Sequence, residues 1–198
     1  MNFFKYRDSA DGQALFAEDV ALSQIAERFG TPSYVYSSAA LIARFRAFSE
    51  AVGDALVCYS VKANDNLAVL RCLASQGAGV DIVSGGELAR AMAADIAPEK
   101  IVFAGVGKTS DEMADALDVG IGQFNVESEE ELEMLASLAA ARGVQAPVAL
   151  RVNPDVDAKT HEKISTGRAT DKFGIEFNQA ETLYARGTQM TGINMHGL

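Results

Sequence analysis

Val57-Cys58-Tyr59-Ser60-Val61-Lys62-Ala63-Asn64 is the stretch on which the reading of the chain turns. Val57 to Val61 is apolar and β-favouring, and Asn64-Asp65-Asn66 breaks the run, so the spacing predicts a buried strand that ends at one lysine. Apolar walls make an ammonium costly, so a lysine placed there loses its proton or finds a partner. A neutral, desolvated amine is what condensation with a carbonyl, as a Schiff base, requires. The plainer reading is a lysine whose stem runs along the strand end to reach solvent.

Outward from this stretch, further strands are expected at Gly79–Val83, Ile101–Ala104, Gln123–Val126, Pro147–Val152 and Gly192–Leu198, after a first at Leu56–Val61. Helical spacing fills the gaps at Leu67–Gln76, Gly86–Ala94, Ser110–Gly120, Glu127–Arg142 and Gln179–Arg186. Ser110 and Ser128 are expected helix starts, Gly120 and Gly143 expected stops. A β-α-β-α order with short connections makes a parallel sheet in an α/β fold. An open doubly wound sheet and a (β/α)8 barrel both fit. The even rhythm, and polar residues at successive strand ends (Lys62, Ser84, Gly105, Glu127, Asn153), favour the barrel, where such ends converge on one site. A complete barrel has eight strands and typically about 250 residues. Six strand candidates in 198 residues therefore suggest the front part of a longer protein.

Before this rhythm, residues 13–29 show mostly helical spacing that Gly30-Thr31-Pro32 stops, Ser33–Ser37 suggests a short strand, and Ala39–Ala51 is helical. The expected division is thus an N-terminal helical segment over residues 1–30 and an incomplete barrel domain over 31–198. The polar stretch Asp155 to Gly174 follows a strand end, where barrels carry lids or plain loops.

A net charge of −10 and a pI near 4.7 argue against a nucleic-acid partner, whose phosphates need a basic surface. No run is long and apolar enough for a membrane span, and the first residues lack a signal-peptide pattern, so no membrane partner and a cytoplasmic location are expected. Cys58 and Cys72 read as reduced thiols, and two histidines without a Cys/His cluster predict no metal site.

Several short blocks occur in order: Gly30-Thr31-Pro32-Ser33-Tyr34-Val35-Tyr36, Tyr59 to Asn64, Val80 to Leu88, and Gly105-Val106-Gly107-Lys108-Thr109. Gln123 to Ser128, Leu150 to Pro154, Ile164 to Gly167 and Lys172 to Ile175 complete the series. With these blocks the chain resembles diaminopimelate decarboxylases, pyridoxal-phosphate enzymes with an alanine-racemase-type (β/α)8 TIM barrel. The resemblance implies pyridoxal 5'-phosphate as cofactor, with Lys62 as its catalytic covalent anchor and Asp81 and Arg151 as cofactor-binding residues. Plainer roles are a helix-capping Asp81 and an Arg151 paired with a surface carboxylate. It also implies an active-site lid over His161–Gly167, Lys172 near a dimer interface, an amino-acid substrate and a homodimer. By the same resemblance the activity is decarboxylation of meso-2,6-diaminopimelate to L-lysine, the last step of bacterial lysine biosynthesis. The family's phosphate loop, further site residues and C-terminal β-domain would lie beyond Leu198, and 1–198 alone is expected to be inactive. His196 lacks the family's pattern around its ring-stacking histidine and takes no role.

Gly105-Val106-Gly107-Lys108-Thr109 also resembles part of a P-loop, but Val102 stands where the first glycine is needed. The remaining rivals are a related decarboxylase of ornithine, arginine or carboxynorspermidine, and a non-catalytic cofactor-binding homologue.

Overall fold

The computed structural model describes residues 3–9, 12–156 and 173–198. Contacts divide it into two compact units, one running through Ala55 with Ser75–Gly77, the other comprising Leu56–Ala74 and Ala78–Leu198.

In the first unit, β1 (Phe4–Ser9) pairs antiparallel with β2 (Gly12–Ala17), which pairs with β3 (Val20–Ala21). Helices α1 (Leu22–Phe29) and α2 (Ser38–Val52) follow. Residues 13–21, expected as the front of a helix, are therefore strand and turn. The ladder offered by Phe4–Ser9 overrides a spacing that looked helical. Ser33–Ser37, expected as a strand, has no ladder pairing among the described residues. Glu18, at φ 54°, turns the chain from β2 to β3. Its carboxylate accepts from the Ala39 amide at 3.0 Å and the Ser37 hydroxyl at 2.7 Å, at the start of α2. These donors, the Ala39 amide foremost, hold the Glu18 carboxyl below its ordinary range.

The second unit follows the expected alternation. β4 (Cys58–Ser60) runs into a 3-10 turn, Val61–Ala63, and then α3 (Leu67–Ala74). β5 (Gly79–Ile82), α4 (Gly85–Ala93), β6 (Ile101–Phe103), α5 (Ser110–Val119), β7 (Gln123–Val126) and α6 (Glu129–Arg142) come next. β8 (Ala146–Leu150) is followed by β9 (Val152–Asn153), β10 (Ile175–Glu176), α7 (Phe177–Gly187) and β11 (Ile193–Gly197). The lid segment His161–Gly167 and Lys172 lie outside the described residues.

Six strands form one parallel sheet in the order β4-β5-β6-β7-β8-β11, strictly sequential apart from the short β9 and β10, which pair with each other. A doubly wound sheet reverses its strand order at a switch point. This sheet never does, which selects the barrel architecture. The two faces differ with a period of two. Val80, Ile82, Ile101, Phe103, Phe124, Val126, Val148 and Leu150 point to one face and are fully buried in the core with Leu88, Met113, Leu132 and Leu135 from the helices. Asp81, Val102 and Asn125, which intervene, are half-buried and face the other way.

Candidate active site

The strand ends on this second face form a cleft. Lys62, Asp81, Gly105, Asn125, Arg151 and Phe173 line it, with Cys58, Val83, Val102 and Ala104 as the rest of the wall. All three residues expected to bind a cofactor therefore meet on one surface. Ser84, Glu127 and Asn153, also expected at the strand ends, lie elsewhere: Ser84 caps α4, and Glu127 and Asn153 are buried.

Lys62 differs from expectation in its surroundings. β4 is the edge strand of the six-stranded sheet and stops at Ser60, and Lys62 sits in the following turn. Only Val61 of that turn is buried; Lys62 is exposed. In this chain β4 has a neighbouring strand on one flank only, so the amine is not enclosed by apolar walls. The amine is instead accessible from the cleft.

Asp81 does not cap a helix. Ser60 is its register partner on β4, so the two side chains share a face, and Ser60 Oγ donates to Asp81 Oδ2 at 3.1 Å. Cys58 also lines the cleft. Burial pushes its thiol pKa up, and the Asp81 charge adds to that, so it stays a protonated thiol of low reactivity.

Arg151 pairs not with a surface carboxylate but with a buried one. Its Nη1 lies 3.1 and 3.2 Å from the two oxygens of Glu127, whose side chain is 1% exposed. Glu127 Oε1 also accepts from the Gly105 amide at 2.7 Å. The Arg151 guanidinium stacks over the Phe173 ring at 5.0 Å. Sequence reasoning placed Glu127 at a strand end but missed this role, because the acceptor and its donors lie on separate segments.

The comparisons with known proteins agree with the motif blocks. Residues 38–198 match the model of the pyridoxal-dependent decarboxylase, pyridoxal binding domain. The whole chain is 56% identical to a diaminopimelate decarboxylase of Pseudomonas aeruginosa and 52% identical to one of Vibrio cholerae. It covers 47% of each, so it spans about half the length of these curated relatives. A diaminopimelate decarboxylase of M. jannaschii in complex with L-lysine superposes with a TM-score of 0.88 at 35% identity, over 99% of this chain and 46% of that one. The Helicobacter pylori enzyme with L-lysine gives 0.85 at 36% identity, over 89% and 46%. The chain belongs to the pyridoxal-dependent decarboxylase family and carries its pyridoxal binding domain.

Proposed function

We propose that the protein carrying this chain decarboxylates meso-2,6-diaminopimelate to L-lysine, with pyridoxal 5'-phosphate held in the cleft. The observation that carries the reading is the meeting of Lys62, Asp81 and Arg151 on one cleft at the sheet's C-terminal edge. Identity to diaminopimelate decarboxylases, and L-lysine in two similar structures, favour this substrate within the family.

The residues present fit such a group. Lys62 offers an accessible primary amine, which an aldehyde requires. Arg151 offers a permanent positive charge and Asp81 a carboxylate, so an aromatic ring bearing both acidic and basic groups finds a counterpart for each. Ala104 and Gly105 keep the wall low. A Cβ at Gly105 (φ 106°) would stand 3.6 Å from Val83 Cβ and would strain the backbone.

Lys62 would hold the cofactor, through Nζ. Ser60 fixes one oxygen of Asp81, and Glu127 fixes Arg151, so both charges keep their positions through turnover. When bound, the cofactor supplies a conjugated, electron-withdrawing ring that accepts the electron pair left as CO2 departs. One proton then replaces the lost carboxylate. A homodimer and a cytoplasmic location belong to the same reading and rest on the likeness to bacterial diaminopimelate decarboxylases.

The test is Lys62→Ala in the whole protein. Expected are loss of the visible absorbance of lysine-bound cofactor and a fall in CO2 release from diaminopimelate on the order of a thousandfold or more. Retention of both would remove Lys62 from the site.

A further inference from the structure

The lysine of Gly105-Val106-Gly107-Lys108-Thr109 is the least expected side chain in the second unit. It sits behind the cleft wall, with its side chain 0% exposed. All three ammonium hydrogens have an acceptor: Gly105 O at 2.8 Å, Asn125 O at 2.8 Å and Glu131 Oε1 at 2.7 Å. Gly105 and Asn125 both line the cleft, so one ammonium ties together the ends of β6 and β7.

These bonds close a ring. Lys108 donates to Glu131, whose other oxygen accepts from the Glu127 amide at 3.1 Å. The Glu127 carboxylate accepts from the Gly105 amide, and the Gly105 carbonyl returns to Lys108. From the ring, the side chain of Arg151 leads into the cleft. The charges balance, with two lysine or arginine cations against two glutamates.

A buried ion pair is weak evidence for stability, because desolvation offsets most of the attraction. Here burial, the larger effect, raises the Glu131 carboxyl pKa, and the Lys108 ammonium offsets only part of that rise. What the arrangement does achieve is placement. Without Lys108, two carboxylates would stand adjacent behind the wall, with only Arg151 to neutralise them.

We infer that Lys108 is a positioning residue for Arg151: through Glu131 and the two strand ends it fixes the Glu127 carboxylate, and so fixes how Arg151 is presented to the cofactor. This rests on the proposed cofactor role of Arg151.

The test measures pyridoxal 5'-phosphate affinity by titrating the cofactor-free whole protein, with thermal unfolding alongside. Lys108→Met is expected to weaken binding about tenfold, the scale at which outer partners tune a ligand. In an Arg151→Gln background it should change affinity by less than about twofold, because the coupling runs through the missing guanidinium. Adding Glu131→Gln to Lys108→Met removes the unpaired carboxylate and should restore much of the affinity. Equal losses in both Arg151 backgrounds would overturn the role of Lys108 alone. No loss from Arg151→Gln by itself would overturn the reading of Arg151, and this inference with it. If Lys108→Met does not fold, Glu127→Gln cuts the same link while keeping an acceptor for the Gly105 amide. It must then show the same dependence on Arg151, and an additive loss would refute the inference.

Discussion

Single carboxylates hold the loops at the rim of the sheet. Glu112 accepts from the Gly85 amide at 2.8 Å through one oxygen and from the Thr109 amide at 3.0 Å through the other, closing a capping box at the start of α5. The Gly85 amide first, then the Thr109 amide, draws its carboxyl below the ordinary range. A depressed folded pKa means that the unfolded chain binds more protons on acidification. The stabilisation is therefore complete above the ordinary carboxylate value and disappears as pH falls through the lower, folded one. Glu112→Gln should cost about 1 kcal/mol near neutrality, the scale of a lost cap. Urea unfolding from about pH 7 to about pH 3 should show wild type and variant converging at the acid end. A gap that stays constant with pH would rule out the carboxylate as its source. At this scale the sequence was partly legible. Family motifs brought Asp81 and Arg151 to the cleft, and Lys62 too, though exposed. The burial of Lys108 was not legible, because its acceptors come from three separate segments and its own motif resembles a phosphate loop.

Elements were easiest to read where their ends carry chemistry. Ser128 caps α6 by accepting from the Glu131 amide, and Gly120 and Gly143 end their helices in the left-handed conformation, all as expected. α5 begins at the expected Ser110, with Thr109 just before it supplying the cap. The N-terminal hairpin was missed because the apolar residues of β2 also fit a helical spacing. Packing at the starts of strands was invisible. A Cβ at Gly79 would lie 2.5 Å from the Lys100 carbonyl oxygen, and one at Gly122 would lie 2.2 Å from that of Glu99. The 3-10 turn Pro98–Lys100 thus passes between the beginnings of β5 and β7, and neither neighbour has room for a side chain. Gly122→Ala is expected to cost about 1–3 kcal/mol, because backbone must move to admit the methyl group. Gly107→Ala, with no atom within 4 Å of the new Cβ, is the control and should be nearly neutral in thermal unfolding. Equal midpoints for the two variants would contradict this packing.

Over the whole molecule, burial is uneven. The second unit holds a continuous core, with four buried residues on α6 alone, whereas neither α1 nor α2 has a buried residue. A fifteen-residue helix without a buried residue is marginal on its own. Amide hydrogen exchange should therefore be faster along α2 than along α6 in this chain, and equal protection would show that α2 draws stability from elsewhere. The sequential β-α alternation was legible at this scale because each repeat spells its own strand and helix; the carboxylates that join one repeat to the next were not. Those ties also run in a fixed direction. The Gly85 amide waits for Glu112, and the Gly105 amide for Glu127, each supplied by the repeat that follows. On a ribosome the chain emerges from its N-terminus. The loops after β5 and β6 must then stay loose until the next repeat has left the exit tunnel, so the order of translation is also the order in which these two loops can lock.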